Sequence, residues 1–300
     1  MTSLSGDKFL ELAARKSIMT AIVMVLFGAI LFVIQDSGIK WLTAELAVLQ
    51  IIFVRSLFGM VFLYSGTKIL GGKMDLKVHQ PWLLLFRTSV NVVSWCLFFT
   101  GLKYLELATA TALFFSFPLF LTALSVPILK EQVGLRRWTA IIVGFIGVVL
   151  MTKPGGGFQW PMLLMLSAAF GWALVALATR KLGEQQSAQS ILFYTLLGFA
   201  STMWIPQIWL WQPMDSDALL LIALVALFGV TAQFLITKAY TLANPSITSP
   251  FEYTGLVWAA LFGFVIWNDI PDWISIAGGL LIVSSGIFII YREYRLSAED

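Results

Sequence analysis

Residues 17–35 read SIMTAIVMVLFGAILFVIQ, nineteen positions without an Asp, Glu, Lys or Arg. A helix needs roughly 20 such residues to cross a bilayer core, within a range of about 17–25. The segment before it, Met1 to Lys16, is short and polar. No small-residue cleavage site precedes the next apolar stretch, so 17–35 reads as a retained first membrane helix. Outward from it, similar stretches fall near 44–64, 81–101, 107–129 and 138–152. A second set falls near 161–180, 190–210, 218–238, 246–267 and 273–291. Glycine and proline mark the breaks: Gly71-Gly72 after the second stretch, Pro81 opening the third, and Pro154-Gly155-Gly156-Gly157 after the fifth.

The whole chain shares this bias. Of its 300 residues 59% are hydrophobic and 12% charged, where soluble domains run near 45–50% and about 25%. No soluble fold of this length could cover such an apolar excess, so lipid must solvate much of the surface. The single cysteine, Cys96, excludes an intramolecular disulfide. Lys and Arg resist translocation, so their distribution reports sidedness. With the N-terminus in the cytoplasm, fourteen of the nineteen Lys and Arg lie on that side. Only Lys40, Lys103 and Lys153 face outward, and Arg55 and Arg87 sit inside spans. A miscounted helix would invert every later loop and erase that bias. The expectation is an all-α integral membrane protein of ten transmembrane helices in a bacterial inner membrane. Both ends, 1–16 and 292–300, are then cytoplasmic.

The halves 17–153 and 154–291 echo each other as two five-helix repeats. The first holds Lys103-Tyr104, an Ala/Thr-rich helix through Pro118, then Glu131, then Gly144 and Gly147. The second holds Lys238-Ala239-Tyr240, a helix carrying Pro250, then Asp269, then Gly278, Gly279 and Gly286. A repeat with an odd number of helices must insert in opposite orientations, an inverted-repeat plan common in secondary transporters. Gly101-Leu102-Lys103-Tyr104 through Ala108, Pro118 followed by Glu131, and Phe170-Gly171-Trp172-Ala173 together resemble the EamA-type drug/metabolite transporter superfamily. The resemblance implies a central cavity lined mainly by helices 1, 3, 4, 6, 8 and 9. It also implies a small-solute cargo such as an amino acid, vitamin or nucleotide-like metabolite.

Polar residues inside spans point to function, because an Arg or Asp at a helix centre costs roughly 2.5–3.5 kcal/mol on insertion scales. Arg87, Asn91 and Trp95 follow one another at four-residue spacing on the third span, hence on one face. With Trp172, Gln233 and Glu252 they form the expected substrate-binding set. Arg55, Arg87 and Glu252 are expected at similar depth in the cytoplasmic half. They would form an inner gate or anion-recognising patch there, or else a buried structural ion pair. Asp36 and Lys40, four residues apart, are placed to pair across one turn. Trp258 is a third mid-span tryptophan. Pro118 and Pro250 interrupt corresponding helices, and Ser116, Thr248 and Ser249 are placed to satisfy the carbonyls that proline frees.

Absences narrow the chemistry. Gly155-Gly156-Gly157 is not followed by Lys-Ser/Thr, so there is no phosphate loop and no sign of ATP drive. One histidine, His79, and one cysteine cannot assemble a His/Cys metal site or a Cys–His nucleophile. No cofactor, metal, nucleic acid or enzymatic reaction is expected. The expectation is a carrier working by alternating access on a small organic metabolite, an amino acid or related compound. A passive channel or facilitator, and a vitamin or nucleotide carrier, stand as alternatives. The residues leave open a coupling proton or ion, and whether the protein is a monomer or a homodimer.

Overall fold

The computed structural model describes residues 3–69, 71–72, 74–129, 135–152, 159–243 and 248–296. Within these ranges, side chains at 3–16, 125–129, 136–137, 151–152, 249–250, 286, 289–290 and 292–296 are left out of the description. Glu131 and Pro154-Gly155-Gly156-Gly157 lie outside the described residues.

Every regular element among the described residues is helical. They are α1 (Ser3–Leu42), α2 (Val48–Ile69), α3 (Pro81–Tyr104), α4 (Leu107–Phe114), α5 (Phe117–Leu129) and α6 (Leu135–Thr152). Then come α7 (Pro161–Leu182), α8 (Ala188–Met203), α9 (Gln207–Leu210), α10 (Ser216–Leu242), a 3-10 turn (Ser249–Tyr253), α11 (Thr254–Trp267) and α12 (Trp273–Leu296). Six helical segments are long and apolar enough to cross a membrane: Ser17–Leu42, Val48–Ile69, Pro81–Tyr104, Leu107–Leu124, Pro161–Leu182 and Ser216–Leu242. Shorter apolar helices cover Trp138–Leu150, Phe251–Trp267 and Trp273–Ser285.

Local chemistry sets the ends. Pro81 and Pro161 open α3 and α7, where the missing N–H has no intrahelical partner to lose. Ser187 and Asp215 accept from Ser190 N and Ala218 N at the starts of α8 and α10, at 3.2 and 2.8 Å. Asn268 closes α11 in the left-handed region, φ 58°. Three of the expected spans are interrupted, two of them beside Pro118 and Pro250, where interruption is expected, and the third, 190–210, where it is not. The stretch 107–129 divides between α4 and α5, 190–210 divides at Trp204-Ile205-Pro206, and 246–267 opens as a 3-10 turn. Each break sits within three residues of Pro118, Pro206 or Pro250, which cannot donate to the helical ladder.

The halves interlock rather than sitting side by side. α1 packs along α10, α3 along α7, α2 on α8 and α6 on α12. α5 and α4 cover α7, as α11 and the 3-10 turn cover α1, and α4 meets α11. Exchanging the halves maps this set of pairs onto itself. The chain offset agrees: α1 ends at Leu42 and α7 at Leu182, α2 begins at Val48 and α8 at Ala188. The α1/α10 and α3/α7 seams are antiparallel and close. Gly28 and Gly38 lie against Ile236 and Val225, while Gly101 and Gly171 lie against Met165 and Ser94. Small residues let helix backbones approach where lipid supplies no hydrophobic drive. Outside these seams the large apolar side chains face outward, among them Val61, Val93, Ile142, Leu163, Leu220 and Val265.

Candidate functional site

Where the two seams meet, a small, nearly closed cavity of about 40 Å³ lies among α1, α3, α4, α7, the 3-10 turn and α11. Its wall is mostly aromatic: Phe32, Trp95, Phe98, Phe114, Phe115 and Trp172 line it. Trp95 is the hub. It meets Phe32 at 5.5 Å between ring centroids, Phe98 at 5.5 Å and Trp172 at 5.7 Å, the last two edge to face. Such packing fixes ring orientation as well as burying area. The α4–α5 break brings Phe114 and Phe115 into this wall. At the break, Ser116 Oγ donates to Leu113 O at 2.8 Å and Phe115 N to Thr111 O at 3.0 Å.

Two carboxylates complete the lining, Asp36 and Glu252, and among the described residues no Lys or Arg lines it. Gln35 Nε2 donates to Asp36 Oδ1 at 2.9 Å, and Arg55 Nη2 donates to Gln35 Oε1. A neutral amide thus stands between guanidinium and carboxylate. The Arg55 guanidinium also lies 5.7 Å from the Trp95 ring and 5.9 Å from Phe99. Gly229 of α10 leaves the room for this knot, because a Cβ there would collide with Gln35 Oε1 and Arg55 Nη2. Tyr240 donates from its hydroxyl to Glu252 Oε1 at 2.5 Å. Trp172 sets its indole beside that hydroxyl without hydrogen-bond geometry to any partner.

The expected substrate set is therefore divided. Trp95, Trp172 and Glu252 line the cavity together with Asp36. Arg87 and Asn91 do not. Arg87 is buried between α3, α7 and α8, its Nε donating to Thr179 Oγ1 of α7 at 3.0 Å and its Nη1 to Thr195 Oγ1 of α8. Gln233 is also absent from the lining and reaches only Thr237 on its own helix, at 3.5 Å. Trp258 packs half-buried at the edge of the core. Pro118 is buried beside the α4–α5 break, and Pro250 lies in the 3-10 turn that delivers Glu252.

Two spatial expectations are corrected. Asp36 and Lys40 do not pair. Gln35 occupies Asp36, while Lys40 donates to Leu105 O at 2.7 Å, lies 3.6 Å from Asp269 Oδ2 and sits over Trp267. The long lysine side chain reaches past its own helix to the end of α3 and the loop after α11. Nor do Arg55, Arg87 and Glu252 share one depth. Arg55 reaches the level of Trp95 and Phe99, eight residues or more along α3 from Arg87, about 12 Å at 1.5 Å per residue.

Sequence reasoning missed Phe32, Phe98, Phe114, Gln35, Tyr240 and Gly229 as site residues. Phe32 and Gln35 carried a usable signal, lying four and one residues before Asp36. Tyr240 was visible in the repeat, but its bond to Glu252 depends on the tight 3-10 turn. Gly229 is one glycine among 23.

The model of the EamA-like transporter family matches residues 18–153 and again 159–292. An S-adenosylmethionine uptake transporter of Rickettsia bellii is 31% identical over 268 residues, covering 87% of this chain and 90% of that protein. A riboflavin transporter of Vibrio cholerae is 30% identical over 253 residues, covering 82% and 84%. One crystal structure superposes with a TM-score of 0.65, covering 95% of this chain and 98% of its own, at 16% identity. A likeness that distant bears on the fold alone. With the same family model matched over both halves of a multi-pass helical bundle, this chain belongs to the EamA-like transporter family.

Proposed function

We propose that the chain is a secondary transporter moving a positively charged small metabolite across a bacterial inner membrane by alternating access. Ten spans serve this motion, with α4 and α5 forming the fourth and the 3-10 turn and α11 the ninth. The two five-helix repeats, 17–153 and 154–291, lie in inverted orientation with both ends cytoplasmic. The observation that carries the substrate reading is the cavity wall: aromatic rings and two carboxylates, without a lysine or arginine. Such a wall favours a cation, through ring quadrupoles and direct charge.

S-adenosylmethionine, which the Rickettsia bellii relative takes up, is a metabolite with a positive centre and an aromatic base, and it is the first compound to test. Riboflavin is a second reading, favoured by the edge-to-face rings, whose open faces suit a planar ring system, and by the relative that carries it. The test is thermal shift on purified protein followed by counterflow in proteoliposomes. A true substrate stabilises the fold by about 2.7 kcal/mol at a hundredfold excess over Kd and shows saturable exchange. Flux of every solute rising linearly with concentration would instead point to a channel.

A further inference from the structure

The α3/α7 seam holds a polar group that the cavity does not use. Arg87 is 1% exposed, and among the described residues its side chain donates to the Thr179 and Thr195 hydroxyls. No carboxylate lies beside it among the described residues. One turn along the same face, Asn91 is fully buried with neither its Nδ2 nor its Oδ1 partnered, and the Thr88 hydroxyl oxygen is also without a partner. Buried charges are normally paired and buried amides bonded. An unpaired guanidinium beside an orphaned amide therefore describes a seat for an anion that is closed in this conformation. The seam gives it direction. Ser94 faces Gly171, and Trp95 meets Trp172, so Asn91 and Arg87 lead away from the cavity between α3 and α7.

We propose that Arg87 and Asn91, with Thr88 turned toward α8, form a second substrate subsite, which takes the carboxylate of the transported metabolite when α3 parts from α7 and α8. The inference rests on the transporter reading above and extends it: the cargo carries both a positive centre, held among the rings, and a carboxylate. Arg87 lies about 12 Å along α3 from Trp95 and Asn91 about 6 Å. The subsite thus lies on the path from the cavity toward the end of α3 that begins at Pro81.

The experiment uses full-length protein carrying Cys96→Ser and Asn91→Cys in leaky membrane vesicles. Two methanethiosulfonate reagents are compared, one anionic and one cationic, each normalised to its rate with a free thiol. The expected result is labelling about tenfold faster with the anionic reagent, falling to parity when Arg87→Gln is added. Ser94→Cys, on the same seam, replaces Asn91→Cys if that variant does not reach the membrane. Equal normalised rates with Arg87 intact, or no labelling by either reagent, would overturn the subsite. Labelling needs no substrate. Failure of S-adenosylmethionine and riboflavin counterflow in matched proteoliposomes would therefore count against the proposed function and leave this result standing.

Discussion

Asp36 and Glu252 have opposite supports. Asp36 is tied through Gln35 to the charge of Arg55, whereas Glu252 is held by a neutral phenol. Removing the negative charge at either position should weaken a cationic substrate. Glu252→Gln and Asp36→Asn are each expected to lower counterflow efficiency about tenfold, the equivalent of 1.4 kcal/mol, with the melting temperature held within a few degrees. Unchanged counterflow in both variants would remove the charge-recognition reading. Trp95→Ala should cost substrate affinity more than a single aromatic contact does, because Trp95 orients Phe32, Phe98 and Trp172 at once. Titration of the variant against the thermal-shift hit measures this. Of these residues, Trp95, Trp172 and Glu252 were legible from chemistry and spacing alone, since an aromatic or acid in mid-span needs a reason. Arg87 met the same criterion and yet lies off the cavity, because spacing sets the face of a helix but not which neighbour covers it.

At the scale of elements, the seams decide what can move. Gly229 accepts the Gln35–Arg55 knot in the α1/α10 seam, and Gly171 accepts Ser94 in the α3/α7 seam. Adding one methyl group at Gly229 should destabilise the protein by about 1–3 kcal/mol, the usual range for overpacking. A detergent thermal melt of Gly229→Ala tests it, with Gly66→Ala, at a position with open space around it, as the comparison. Lys40 ties the end of α1 to Asp269 beyond α11 and to the Leu105 carbonyl at the end of α3. The pair is partly exposed, so a double-mutant cycle of Lys40→Ala and Asp269→Ala should return about 0.2–1 kcal/mol of coupling. A coupling near zero would mean that Lys40 holds this end through the carbonyl alone. The expected pairing of Lys40 with Asp36 failed because helical geometry proposes only local partners, and a flexible four-carbon stem takes the better acceptor wherever the fold supplies it.

Across the molecule, the two repeats build one cavity between them: each seam pairs a helix of one half with a helix of the other, and each half contributes an interrupted helix and one lining carboxylate. Reporter domains fused at each end test the inverted-repeat reading. Both a cytoplasm-active and a periplasm-active reporter should place 1–16 and 292–300 on the cytoplasmic side, and opposite placement of the two ends would break the ten-span arrangement. From sequence alone came the helical class, the membrane solvent, the two-part repeat and the family, because apolar run length, charge bias and proline punctuation are local properties written along the chain. Only the tertiary structure decided that Asp36 faces the cavity while Arg87 does not, that Lys40 reaches Asp269, and that Gly229 makes room for Arg55. Those outcomes depend on which helix of one half lies against which helix of the other. That choice is made by side-chain fit between segments far apart in the chain, such as Arg87 and Thr179, 92 residues apart, which no short stretch of sequence contains.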